Sequence, residues 1–101
     1  MADKKPYTIR TASVGIVSVT FAGMTEIFKT RKVVNNFALE LASQLSDRRN
    51  GKFHLQDMPD GRLALIMHKT NNIIYFKDYN QASMFAEMLF NDTNDDPNPT
   101  T

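Results

Sequence analysis

IIYFKDYNQASMFAEMLF, from Ile73 to Phe90, runs from a strand into a helix and has an echo upstream. Forty-eight residues earlier stands EIFKTRKVVNNFALELA, from Glu26 to Ala42. In that register Phe28 matches Phe76, Lys29 matches Lys77, Phe37 matches Phe85, Ala38 matches Ala86 and Leu41 matches Leu89. Thr30 and Asp78, both helix N-cap types, share a slot, and Val34 pairs with Ala82. A fixed-offset echo reads either as internal duplication or as convergence of two strand-to-helix units.

Working outward, Ile73 to Lys77 is predicted as a strand. Asp78 caps the helix after it, and Gln81, three positions on, completes a capping box. Ala82, Phe85, Ala86 and Leu89 form that helix's inner face. In the earlier copy Met24 to Lys29 is a strand. Thr30 caps a helix over about residues 31–49, with Val34, Phe37, Ala38, Leu41, Ala42 and Leu45 on one face. Arg48 and Arg49 suit its negative pole, and Asn50-Gly51 suits a left-handed stop. Tyr7 to Thr11, Val14 to Ala22, Lys52 to Met58 and Arg62 to Lys69 read as further strands. Pro59-Asp60-Gly61 and Thr70-Asn71-Asn72 are turns, whereas the link after Thr11 carries no strong turn signal.

The order is βββα–βββα. The expected fold is α+β, a mostly antiparallel sheet with two helices on one face. One domain over residues 7–90 is expected, with repeats at 7–49 and 52–90 and a flexible start at 1–6. The acidic tail, 91–101, is expected to be disordered, and truncation from Asp92 to be tolerated.

Hydrophobic content of 42% with 23% charged residues suits a soluble globular chain. Cysteine is absent, which removes disulfides and thiolate sites and fits a reducing, cytoplasmic location. Val17, Val19 and Phe21 alternate as in a strand, so the basic and then apolar start is not read as a leader. No apolar run is long enough for a membrane span. Net charge is +1, but the tail holds three acids and no base; the body therefore carries 12 bases against 8 acids.

No catalytic motif, metal constellation or cofactor loop is present, so the expected protein is not an enzyme and takes no cofactor or small-molecule substrate. His54 and His68 lie on strands that pair across the Pro59 turn and could take a metal with Asp57 or Asp60, but solvent-facing strand positions are the preferred reading. The sheet face away from the helices is the candidate site. If Phe28 and Phe76 point inward, alternation puts Ile27, Lys29, Ile73, Tyr75 and Lys77 outward, joined by His54, Gln56, Arg62, Ile66, His68 and Arg10. From this face, Arg10, Lys29, His54, Arg62, His68, Tyr75 and Lys77 are the candidate binding residues, because such side chains stack bases and neutralise phosphates. Its isoleucines equally suit a protein partner or a homodimer.

Duplicated units of antiparallel strands closed by one helix resemble the architecture of the Pur-alpha and Whirly single-stranded nucleic-acid-binding proteins. Repeats of that kind carry a fourth strand, and three are legible here. The acidic, Pro-containing tail is similar to the tails with which single-stranded-DNA-binding proteins recruit partners. The resemblance implies binding of single-stranded DNA or RNA. The alternative is a protein-interaction module, such as a phage-type inhibitor or adaptor, acting through the same face or a sheet edge.

Overall fold

The computed structural model describes residues 6–94. The elements run β1 (Tyr7–Thr11), β2 (Val17–Phe21), β3 (Met24–Phe28), α1 (Arg31–Ser46), β4 (Phe53–Asp57), β5 (Leu63–Met67), β6 (Ile73–Phe76) and α2 (Tyr79–Thr93). This is the expected α+β, βββα–βββα order, and every strand pairing is antiparallel. The six strands form two three-stranded sheets, β1-β2-β3 and β4-β5-β6, instead of one continuous sheet. β1 and β3 are the edges of the first sheet and β4 and β6 those of the second.

The repeat runs deeper than the 48-residue echo. Tyr7, Val17, Val19 and Phe21 correspond to Phe53, Leu63, Leu65 and Met67, each 46 positions on, and all eight are buried. Even the turns correspond. Ala12 N–H donates to the Ile16 carbonyl at 2.8 Å, and Gly15 N–H to Ala12 at 2.9 Å. In the second half Met58 N–H donates to Arg62 at 2.9 Å, and Gly61 N–H to Met58 at 3.0 Å. Gly15 and Gly61 take the left-handed φ this turn needs, +92° and +93°. The offset changes to 48 in the next turn. Ala22 and Gly23 close β2 onto β3 with two positive-φ residues, as in a type I′ hairpin, whereas β5 and β6 are joined by residues 68–72.

The core is shared between the halves. Phe37 of α1 packs on Phe28 of its own half at 5.3 Å and on Phe53 of the other at 5.2 Å. Phe85 of α2 repeats the pattern, on Phe76 at 5.4 Å and on Tyr7 at 5.5 Å. Phe21 bridges the sheets, with centroids 5.0 Å from both Phe76 and Phe85. Each helix thus covers strands of both sheets, and the outward strand positions other than the small, buried Ala64 are left at least partly to solvent.

Both N-caps form as expected: Thr30 Oγ1 accepts from Val33 N–H at 3.2 Å and Asp78 Oδ1 from Gln81 N–H at 2.9 Å. The reciprocal bond of Gln81 comes from Lys77 N–H, at 2.6 Å, one residue ahead of the cap. α1 stops at Ser46, three residues short of expectation. Arg48 and Arg49 lie beyond it. Arg48 pairs with Asp57 at 2.8 Å, and Arg49 folds back to Ser43 Oγ at 2.7 Å and Glu40 at 3.3 Å. Gly51 has no positive φ, so the left-handed stop is not used. Ala42 is exposed, and Gln44 takes the buried position on that face.

Residues 91–93, expected to open the disordered tail, are helical, because α2 continues through Thr93. Thr93 is buried, donates to Leu89 O at 2.7 Å and accepts from Asn35 Nδ2 at 3.2 Å. Asp92 accepts from Tyr7 Oη at 2.9 Å, and its carbonyl accepts from Arg31. Truncation from Asp92 would therefore remove packed residues and is expected to lower the melting temperature. Residues 1–5 and 95–101, which carry the rest of the expected flexible ends, lie outside the described residues.

The Tyr7–Asp92 bond gives the fold an alkaline limit. Burial, then the bond to Asp92 and its charge, push the Tyr7 phenol well above its ordinary value near 10. The folded state holds this proton more tightly than the unfolded chain, so the stabilisation is intact below pH 10 and is lost as pH rises above it. Urea denaturation at about pH 8 and pH 11 should show a larger alkaline loss for the native chain than for Tyr7→Phe, which has no phenol to ionise. Equal losses would place the alkaline weakness elsewhere.

Candidate nucleic-acid interface

Alternation places the outward side chains as expected. Register aligns Arg10, Ser18 and Ile27 across the first sheet, with Thr8, Thr20 and Thr25 beside them. On the second sheet His54, Ile66 and Ile73 form one row and Gln56, Ala64 and Tyr75 the next. No outward position of any strand carries an acid. Ile27 is 62% exposed and Tyr75 41%, so neither is core.

The seven candidate residues are not one cluster. Arg10 and Lys29 are exposed on the first sheet and just past it. His54, Arg62, His68, Tyr75 and Lys77 belong to the second, where two close groups form. The Arg62 guanidinium lies 4.6 Å from the Tyr75 ring centroid, a cation–π stack. Asp60 holds it there, accepting from Arg62 Nε at 2.8 Å and from Arg62 N–H at 3.1 Å. These bonds hold the Asp60 carboxyl below its usual range. The second group is His54 and His68, whose facing ring nitrogens are 2.6 Å apart.

Asp57 and Asp60 do not join the histidines, since they face Arg48 and Arg62. Among the described residues no group of three or more His, Asp or Glu converges, and no helix is long and apolar enough to cross a membrane.

The repeat relates the two surfaces. Ile16 corresponds to Arg62 and Ile27 to Tyr75. Where the second sheet stacks a guanidinium on a phenol, the first has an open depression of about 410 Å³ lined by Arg10, Thr11, Ala12, Ile16, Ser18 and Ile27. Val14, 75% exposed, stands at the adjoining turn. The residues missed by sequence reasoning are Val14 and Ile16, which were assigned to a strand. The recurrence of glycine at 15 and 61 was the available signal for a turn there.

No family model, curated protein or solved structure matches this chain.

Proposed function

We propose that the chain binds single-stranded nucleic acid along the outward faces of its sheets. One observation carries the reading: those faces bear Arg10, an aromatic–guanidinium stack and two imidazoles, with Lys29 and Lys77 at their margins, and no outward strand position bears a carboxylate. Basic side chains beside a ring and a guanidinium, the latter paired with Asp60 at the edge of the second sheet, suit phosphates and unstacked bases together. Arg62 already covers Tyr75, so a base either stacks on the guanidinium or displaces it.

Tyr75→Ala is expected to weaken binding of a labelled single-stranded oligonucleotide by about 1–3 kcal/mol in fluorescence anisotropy. Lys29→Ala and Lys77→Ala should weaken every sequence modestly and flatten the salt dependence by about one unit of slope. All three positions are exposed, so melting temperatures should hardly change. Binding that ignores all three changes, or none at low salt, sinks the reading.

The apolar group of Val14, Ile16 and Ile27 favours a second reading, a protein partner or a second copy on the first sheet. In that case Ile27→Asp shifts the assembly in sizing chromatography and leaves oligonucleotides unaffected.

A further inference from the structure

The His54–His68 pair has a geometry that neither solvent exposure nor nucleic-acid binding requires. The two residues are diagonal neighbours on one face: His54 is opposite Ile66, and His68 follows two positions later. His68 is anchored twice. Its backbone N–H donates to the Lys52 carbonyl at 3.1 Å, and its ring Nδ1 lies 2.9 Å from the Gly51 carbonyl. A carbonyl only accepts, so Nδ1 of His68 carries the proton and, in the neutral ring, Nε2 presents a lone pair. That lone pair faces Nδ1 of His54, at 2.6 Å, which must then be the donor.

A ring N–H tied to a backbone carbonyl, which fixes the tautomer and aims the opposite nitrogen's lone pair outward, is the arrangement that orients metal-ligating histidines; in His68 that lone pair now accepts from His54. The geometry points to an open two-histidine site for a borderline divalent transition ion, with His54 Nδ1 and His68 Nε2 as ligands and water completing the shell. Imidazole pairs suit zinc, copper and nickel, and not the oxygen-seeking calcium or magnesium. Tetrahedral bonds of about 2.0–2.1 Å require the nitrogens to stand about 3.3 Å apart. The rings, with centroids 4.8 Å apart, must part by about 0.7 Å at the facing nitrogens and turn so that both lone pairs meet at the ion; His68 is exposed and His54 half-exposed. His54 moves its proton from Nδ1 to Nε2 through solvent, whereas His68 keeps its proton, so binding by the neutral pair releases no net proton. The site shares its two imidazoles with the nucleic-acid face but needs neither Tyr75 nor the lysines, so zinc binding is tested separately from oligonucleotide binding.

The test is calorimetric titration of zinc ion alone into the untagged full chain at about pH 7.5. One saturable ion per chain is expected, with no such binding for magnesium. His54→Ala and His68→Ala should each abolish it. Histidine nitrogen NMR of the native chain provides a readout that does not depend on the variants folding: zinc should move the His54 proton to Nε2 and leave the His68 Nδ1 proton in place. Zinc binding that survives both substitutions, or imidazole signals that zinc does not move, overturns the site.

Discussion

Phe85→Ala is expected to cost about 3–5 kcal/mol and lower the melting temperature by more than about 12 °C. Phe85 is 1% exposed and touches three aromatic rings, Tyr7, Phe21 and Phe76, with centroids within 5.5 Å. Two of those rings belong to the first half, so truncation opens a cavity between halves which neither half can close alone. Phe37, its counterpart, is half-buried and touches two rings, so Phe37→Ala should cost less, about 2 kcal/mol. Paired thermal melts decide the matter. Equal losses would mean that the two halves pack alike, and a Phe85→Ala shift of only a few degrees would refute the shared core.

Glu26→Ala is expected to cost about 2–3 kcal/mol without touching the outward face. Glu26 points inward, is 6% exposed, and accepts from Thr70 Oγ1 at 2.7 Å and from Asn72 Nδ2. Asn72 also donates to the Thr25 carbonyl at 3.1 Å, so the longer β5–β6 turn is tied to the first sheet. Removing the carboxylate takes a charged acceptor away from a part-buried hydroxyl and amide, of which only the Asn72 amide keeps another acceptor, the Thr25 carbonyl. A double-mutant cycle with Asn72→Ala should show coupling above about 0.5 kcal/mol. Additive losses would show that the bridge between halves contributes nothing.

Much of this was legible beforehand because strands and helices have fixed periods. Alternation around Phe28 and Phe76 put Ile27 and Tyr75 outside, and Thr30 and Asp78 marked both helix starts. What was not legible depends on partners distant in sequence. Alternation with Phe28 puts Glu26 on the inner face, but its donors come from a turn 44 and 46 residues later. Gln44 continues the spacing of Val34, Ala38 and Leu41, and its polarity hid it; buried, it donates to Glu40 at 3.1 Å. The C-terminal end of α2 looked unable to bury anything, because neither the phenol of Tyr7 nor the amide of Asn35 lies near it in sequence. The division into two sheets depends on which edges pair, and no local pattern records that. At the site, separate residues were legible, but the grouping into Arg62 on Tyr75 and His54 on His68 required the register.

The ring of Tyr7 waits for that of Phe85, seventy-eight residues later in the chain. During synthesis at about 5–20 residues per second, that interval is roughly 4–16 s. In that time the first sheet has its strands, its hairpins and its own helix, while Tyr7 and Phe21 still lack Phe85. The newly made first half therefore emerges with the inner side of its sheet covered only in part, by α1, and α2 completes the cover.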